Sequence, residues 1–273
     1  MAEQERVSVL VRGVGDVGST VAVVLFRAGY GVALHDEPLP STSRRGMAFT
    51  DAVFDGTAIL DGVTAHRVET ATELRGGLVA GSFVPVATWS FSATLKAMDW
   101  TAVIDARMRK HAVAERQRGI ARLTVGLGPN FVAGGNVDLA VETSWDNELG
   151  GVISAGHTVP LARERRATGR MTRARFVYAP VAGRFETTAE IGDCVAEGDV
   201  VAAIEAVPLS APTAGIIRGL TRSGVPVTLG TKVLEVDPRG NPAAAFGLGE
   251  RPHRIARGVL AALSHRLAPA CLV

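Results

Sequence analysis

A glycine-rich turn near the start of the chain restricts the fold more than any other feature. An apolar, β-branched run, Val7–Val11, is followed at once by Gly13, Gly15 and Gly18, and residues 19–28 then carry apolar side chains at helical spacing. In a strand–turn–helix unit of this kind, the glycines permit a tight turn, close approach of a phosphate to the backbone, and packing of the helix on the strand. The pattern therefore predicts a parallel α/β sheet with a phosphate-binding turn after its first strand.

Two acidic residues bear on what this turn would bind. Asp36 ends a second apolar stretch, Val32–Leu34, and stands 18 positions after Gly18. An acidic residue near that position accepts hydrogen bonds from ribose hydroxyls in dinucleotide-binding folds. Asp16 lies inside the turn, where its carboxylate would repel a pyrophosphate unless it points away. The turn thus predicts binding of a nucleotide or a related phosphate, and the alternative is a β–α–β unit that keeps the turn and binds no nucleotide.

A pair of arginines and a second glycine-rich loop are further candidates for the same site. Arg44 and Arg45 follow the second strand and could clamp a phosphate through paired hydrogen bonds. The loop follows an apolar stretch at 121–125, at a strand end where open α/β sheets bind ligands. Its candidate residues are Gly128, Asn130, Gly134 and Asn136. The plainer interpretations are solvated arginines and an ordinary surface loop.

Composition excludes several classes of protein. Lys and Arg number 29 and Asp and Glu 27, which is too even a balance for a dedicated nucleic-acid binder. Two cysteines are too few for a disulfide framework or a cysteine-based metal site, and no spaced cluster of His, Cys and carboxylates predicts a metal. No apolar stretch approaches the ~20 residues of a membrane span. We therefore expect a cytoplasmic protein with no membrane contact, and the charge balance permits a homo-oligomer without requiring one.

An internal repeat marks the C-terminal part of the chain. Ala179–Gly183 returns as Ala211–Gly215 at an offset of 32 residues, and later glycines and apolar residues keep the same register. Two such units resemble the biotinyl/lipoyl type of barrel-sandwich domain. The turn that would carry a modified lysine, 205–209, contains none, and Lys232 is the only lysine of the region. Covalent lipoate or biotin is therefore not expected.

These patterns together predict an α/β Rossmann-like N-terminal domain, an all-β barrel-sandwich hybrid (biotinyl/lipoyl-like) domain and a C-terminal helix. The expected bounds are 1–165 for the first domain, 166–175 for an arginine-rich basic linker, and 176–240 for the second domain. The segment 241–273 is expected to contain an amphipathic helix, because apolar residues recur at four-residue spacing within it.

The combination of these features resembles a known family, the YqeB-type accessory proteins of the selenium-dependent molybdenum hydroxylase system. This family is distantly related to the XdhC/CoxF maturation factors. The matching stretches span nearly the whole chain and include Val11–Asp16, 44–56, Asp105–Lys110, Gly126–Asp138 with Glu142 and Thr143, and Val236–Gly240.

The resemblance implies an accessory or maturation factor for a molybdenum hydroxylase of the xanthine dehydrogenase type, with that hydroxylase as partner. It would bind a nucleotide or molybdenum cofactor at the first domain. Asp16 belongs to the family pattern and suggests a phosphorylated pterin rather than an ordinary dinucleotide. The alternatives are an NAD(P)-dependent oxidoreductase and a non-catalytic interaction module. No catalytic pair is evident, so whether a reaction is catalysed stays open.

Overall fold

The computed structural model describes residues 6–109, 112–145, 148–160 and 175–267. The predicted basic linker, 166–175, lies outside the described residues except for Arg175. Within the described part, no helix combines the length and the apolar character needed to cross a bilayer.

The first part of the chain builds one large sheet and one small one. Its strands are β1 (Ser8–Arg12), β2 (Gly31–His35), β3 (Thr57–Leu60), β4 (Val63–Val68), β5 (Val84–Ala87), β6 (Ala102–Asp105), β7 (Leu123–Leu127), β8 (Val132–Ala133), β9 (Leu139–Val141), β10 (Val152–Ile153) and β11 (Gly156–His157). Nine of them form the central sheet in the order β10-β9-β7-β6-β1-β2-β5-β4-β3, and β8 pairs with β11.

The central sheet is parallel except at its edges. The neighbours from β9 to β4 all pair in parallel, whereas β10 and β3 pair antiparallel at the two ends. Strand β1 lies in the interior of the sheet and every one of its residues is buried. Helices cover both faces of such a strand, which explains why its sequence is almost continuously apolar.

Five described helices flank or join these strands. They are α1 (Asp16–Arg27), α2 (Thr50–Asp55), α3 (Ala71–Ala80), α4 (Phe91–Lys96) and α5 (Glu250–Leu267). The helix predicted in the last segment is present as α5, and it packs against α1. Val21 and Leu25 of α1 share one core cluster with Ile255 and Val259 of α5. Helices α1 and α5 therefore pack against each other on the same hydrophobic core.

The remaining strands form two small antiparallel sheets. They are β12 (Phe176–Tyr178), β13 (Gly183–Glu186), β14 (Cys194–Val195), β15 (Val200–Ile204), β16 (Val207–Ser210), β17 (Gly215–Leu220), β18 (Pro226–Val227) and β19 (Lys232–Asp237). The sheet orders are β12-β19-β17-β14 and β16-β15-β13-β18. At the 32-residue offset, β13, β14 and β15 correspond to β17, β18 and β19, so the repeat exists at the level of strands.

The predicted fold class is wrong. The molecule is a mixed α/β structure with one large central sheet and several small antiparallel sheets, not a Rossmann-like domain followed by a barrel-sandwich hybrid domain. The glycine turn and the repeat are local patterns, and neither determines how many strands join a sheet or which distant segment closes its core. Antiparallel strands extend both edges of the central sheet, and α5 returns to it after the small sheets. The expected domain bounds stay predictions.

Polar contacts join the small sheets to the loop after β2. The Leu220 amide donates to the Ser43 carbonyl at 2.7 Å, and the Arg45 Nε donates to the Leu220 carbonyl at 2.9 Å. The Thr221 hydroxyl donates to the Ser41 carbonyl at 3.3 Å. These contacts hold β17 and its neighbour β19 beside the carboxyl ends of the central strands.

Candidate functional site

A cleft of about 1640 Å³ opens at the carboxyl ends of several central strands, where open α/β sheets bind ligands. One wall comes from the loops that follow β1, β2, β6 and β9. The other wall comes from the small sheets, and includes Arg175, Tyr178, Arg218 and Lys232.

The structure brings part of the predicted site together in this cleft. The predicted residues that line it are Gly13, Gly15, Asp16, Asp36 and Arg44. Gly18 lies beneath the lining, where a Cβ atom would clash with the Gly13 carbonyl oxygen. Arg45 turns away from the cleft and pairs with Asp51 at 2.8 Å.

The second glycine-rich loop does not line the cleft, and its polar groups bond within their own neighbourhood. Asn136 Oδ1 accepts from the Val132 amide at 2.8 Å, and its Nδ2 donates to the Asn130 carbonyl at 3.0 Å. The Gly134 carbonyl accepts from Arg118 at 2.7 Å. Gly128 has a φ of +99°, so it provides a turn that other residues rarely adopt. The structure supports a shaping role for this loop, and the four predicted binding residues in it stay predictions.

Carboxylates of the protein already bind backbone donors of the first glycine turn. The Val14 amide donates to Asp36 Oδ2 at 2.8 Å, and the Val17 amide donates to Asp16 Oδ1 at 3.0 Å. Burial raises the pKa of the Asp36 carboxyl. Burial also opposes ionisation of Asp16, but the adjacent Arg44 outweighs it and holds the pKa of Asp16 below its usual value. Arg44 Nη1 donates to Asp16 Oδ2 at 2.8 Å.

The structure does not support the expected molybdenum cofactor, because that expectation depended on Asp16 and on a Rossmann-like fold. The carboxylate of Asp16 points at Arg44 and the Val17 amide, so an ion pair inside the protein accounts for it without an unusual ligand. The Rossmann-like fold, on which the expectation also depended, is not the fold of this molecule.

A cluster of charges around Glu235 lies next to the glycine turn. The Glu235 side chain is fully buried, and it accepts from Arg44 Nε at 2.8 Å and from Lys232 Nζ at 2.9 Å. Arg218 Nη1 lies 3.3 Å from Glu235 Oε1, and Arg175 Nη2 lies 3.6 Å from the same oxygen. We call these five residues together with Asp16 the Glu235 cluster. Burial opposes ionisation of Glu235, but Lys232 and Arg44 hold the pKa of its carboxyl far below the usual range.

Positive charge exceeds negative charge within the Glu235 cluster. Its four cations face two carboxylates, Glu235 and Asp16. Burial and the proximity of Arg44 lower the pKa of Lys232, and the same two causes lower the pKa of Arg218. Among the described residues, the buried Arg175 Nε has no hydrogen-bond partner. The cluster therefore has an excess of positive charge beside the cleft and one buried donor that no described group satisfies.

Sequence patterns did not identify Arg218, Lys232 or Glu235 as site residues, and they placed Arg175 in the basic linker. One signal was available: Glu235 stands between apolar neighbours within its strand, and a charged residue at such a position is rarely buried unless paired. Its partner Arg44, however, is 191 residues away in the sequence. For metals, no group of three or more His, Cys, Asp or Glu residues in the described ranges could hold an ion.

Comparison with known sequences finds a similar protein of greater length. No protein-family model matches the chain. The chain is 35% identical over 260 residues, or 93% of its length, to the uncharacterized protein YqeB of Escherichia coli K12. This chain is therefore similar to a YqeB protein along nearly all of its own length. The chain spans about half the length of that relative, covering 47% of it.

Similarity to solved structures is weak. A succinylglutamate desuccinylase/aspartoacylase from Rhodobacter sphaeroides is 28% identical, with 23% of this chain and 22% of that chain covered and a TM-score of 0.21. The product-bound ectoine utilization protein EutE (DoeB) from Ruegeria pomeroyi is 15% identical, with 85% of each chain covered and a TM-score of 0.24. A succinylglutamate desuccinylase from Silicibacter sp. TM1040 is 12% identical, with coverage of 86% and 85% and a TM-score of 0.25.

Two of these three structures are named as a desuccinylase or aspartoacylase, and the other as an ectoine utilization protein. TM-scores this low establish no shared fold, so the corrected fold class rests on the strand order of this chain.

Proposed function

We propose that the protein binds a small phosphorylated ligand in the cleft, with the anionic group held by the Glu235 cluster. The observation that carries this proposal is the excess of cations over carboxylates in a partly buried site that faces the cleft. Like charges held this close repel one another, and a bound phosphate would replace part of that repulsion with attraction.

Hydrogen-bond geometry supports the same ligand class. Arg175 Nε is buried without a partner among the described residues, and such a donor costs about 1–3 kcal/mol until it is satisfied. Arginine donors in a fixed fork suit phosphate oxygens, and lysine adds a compact positive charge. The glycine turn contributes the opposite wall of the site rather than its anion-binding donors.

A nucleotide is one member of this ligand class. The accessory role for a selenium-dependent molybdenum hydroxylase, with that enzyme as partner and a cytoplasmic location, is a further proposal. Its support is the resemblance to YqeB-type proteins, and this chain spans 47% of its curated relative.

The binding proposal is tested by calorimetric titration of inorganic phosphate, pyrophosphate, AMP and NAD⁺ at constant ionic strength. We expect at least one of them to bind the wild-type protein saturably. The same ligand should bind Arg175→Gln about ten-fold more weakly, because a hydrogen bond to a charged group is lost. Arg257→Gln, which removes an exposed arginine of α5, is the matched control and should bind like the wild type.

Two results would overturn the binding proposal. One is the absence of saturable binding for the whole panel. The other is an equal loss of affinity in both arginine variants, because that result would mean that binding follows net charge rather than the Glu235 cluster.

The accessory role is tested in cells that contain both this protein and a molybdenum hydroxylase. Deletion of the gene should lower hydroxylase activity, and a plasmid copy of the wild type should restore it. The Arg175→Gln variant should restore it poorly, whereas Arg257→Gln should restore it fully. Unchanged hydroxylase activity in the deletion strain would reject the accessory role and leave ligand binding to be judged by calorimetry.

A further inference from the structure

Aromatic side chains border the Glu235 cluster inside the cleft. The ring of Phe176 lies 4.7 Å from Lys232 Nζ and 5.0 Å from the Arg175 guanidinium carbon, measured to the ring centroid. The Tyr178 ring is the next one along β12, with its centroid 6.5 Å from that of Phe176. Tyr178 is 49% exposed although it lines the cleft. Tyr178 therefore offers an exposed aromatic face beside Phe176, the ring that lies against Lys232 and Arg175.

Other exposed aromatic residues line the same cleft. Trp145 follows β9 and is 54% exposed, and Phe246 follows β19 and is 51% exposed. The chain has 14 aromatic residues, and four of them line this cleft. Aromatic faces bind planar rings by stacking, and they do so for any heteroaromatic base.

Charge defines the other half of the ligand. The four cations and two carboxylates of the Glu235 cluster leave an excess of two positive charges. A phosphate monoester carries about −1.5 to −2 at pH 7, which matches this excess. A single terminal phosphate thus neutralises the Glu235 cluster.

We propose that the ligand joins a phosphate monoester to a planar heteroaromatic ring, with the phosphate on the Glu235 cluster and the ring stacked on Tyr178. This inference rests on the proposed binding of a phosphorylated ligand and specifies its class. Nucleoside monophosphates and flavin or similar heteroaromatic monophosphates share this chemistry.

The test compares ligands with and without the ring by calorimetry on the full chain. The ring-bearing probes are AMP, GMP, CMP and FMN, and ribose 5-phosphate is the matched probe without a ring. We expect the best ring-bearing probe to bind about ten-fold more tightly than ribose 5-phosphate, or better. Which of the four binds best distinguishes a nucleoside source from a flavin-like source.

Variants at Tyr178 assign the gain to the ring contact. Tyr178→Thr keeps a residue suited to a strand and removes the ring, so ring-bearing probes should lose about ten-fold in affinity while ribose 5-phosphate changes by less than about two-fold. Tyr178→Phe keeps the ring and should bind like the wild type.

Different results would overturn the ring-stacking inference and the proposed phosphate binding. Equal affinities for ribose 5-phosphate and all ring-bearing probes, or a Tyr178→Thr variant that binds them like the wild type, would overturn this inference and leave phosphate binding intact. Failure of every probe, ribose 5-phosphate included, would overturn the proposed function itself.

Discussion

Two regions of the cleft, the glycine turn and the Glu235 cluster, differ in how their charges and donors are satisfied. In the turn, Asp36 and Asp16 accept hydrogen bonds from the Val14 and Val17 amides. In the Glu235 cluster, cations outnumber carboxylates, and the buried Nε of Arg175 lacks a partner within the described ranges. Two amides of the recognisable motif are thus paired with carboxylates of the protein, whereas the unrecognised cluster has an excess of positive charge.

This difference teaches that a phosphate-binding pattern does not by itself locate the phosphate. A glycine turn binds an anion through free amide groups, and a carboxylate of the protein competes for the same groups. An anion is then expected to bind where positive charge is not balanced by carboxylates. In this molecule, the Glu235 cluster adjoins the glycine turn, because Arg44 contacts both Asp16 and Glu235.

The largest expected effect is a loss of stability when the buried carboxylate of Glu235 is removed. Glu235→Gln leaves four clustered cations with Asp16 alone, so the free energy of unfolding should fall by about 3–5 kcal/mol. Urea denaturation at pH 7 measures this change. Glu197→Gln alters an exposed glutamate and should change stability by less than about 0.5 kcal/mol. A loss under 1 kcal/mol for Glu235→Gln would show that the Glu235 cluster does not depend on its central carboxylate.

The glycine turn should be sensitive to packing rather than to charge. A Cβ atom at Gly18 would clash with the Gly13 carbonyl oxygen, so Gly18→Ala should destabilise the protein by about 1–3 kcal/mol. Gly76→Ala is the matched control within helix α3, where a Cβ atom meets nothing within 4 Å. That variant should be more stable by about 0.5–1 kcal/mol, since alanine favours a helix. Equal denaturation midpoints for the two variants would contradict the close approach at Gly18.

The next largest expected effect is on the pH dependence of stability, to which Glu235 and Asp36 contribute in opposite directions. Glu235 has a lowered pKa in the folded protein, so its contribution is complete above the usual pKa of 4.5 and declines as the pH falls below it. Asp36 has a raised pKa and acts in the opposite direction, which partly offsets that decline. Urea midpoints between pH 6 and pH 3 should therefore fall less in Glu235→Gln than in the wild type. Parallel curves for the two proteins would contradict the lowered pKa of Glu235.

The smallest expected effect concerns Asp16, the residue that links the regions. Asp16→Asn removes a negative charge beside Arg44, so the affinity for inorganic pyrophosphate should rise about three- to ten-fold. Asp61→Asn breaks an exposed ion pair with Arg27 and serves as the control, with no change expected in binding. A weaker affinity for pyrophosphate in Asp16→Asn would mean that the carboxylate assists the ligand instead of competing with it.

Patterns along the chain predicted the local elements of this molecule well. The apolar run at Val7–Val11, the glycine turn, the strands of the 32-residue repeat and the helix over 250–267 all depend on spacing between near neighbours, and the structure contains them. The same patterns gave the wrong fold class, because strand order and edge strands depend on contacts between distant segments.

The candidate site divides in the same way. Gly13, Gly15, Asp16, Asp36 and Arg44 line the cleft, and the first four belong to one local unit. The Glu235 cluster joins Arg44 to a strand 191 residues later in the chain, and no local spacing encodes such a contact. The loop at 128–136 matched a binding pattern in composition, but its polar groups bond within their own neighbourhood.

The central claim is that the Glu235 cluster, and not the glycine turn, binds the anion. Calorimetric titration of one phosphorylated ligand into Gly15→Ala and Arg175→Gln tests it most directly. A methyl group at Gly15 would project where a phosphate must approach the backbone, and only the Thr42 side chain lies within 4 Å of it. The account predicts wild-type affinity within about two-fold for Gly15→Ala and a loss of about ten-fold for Arg175→Gln. The reverse pattern would contradict it and place the anion at the glycine turn.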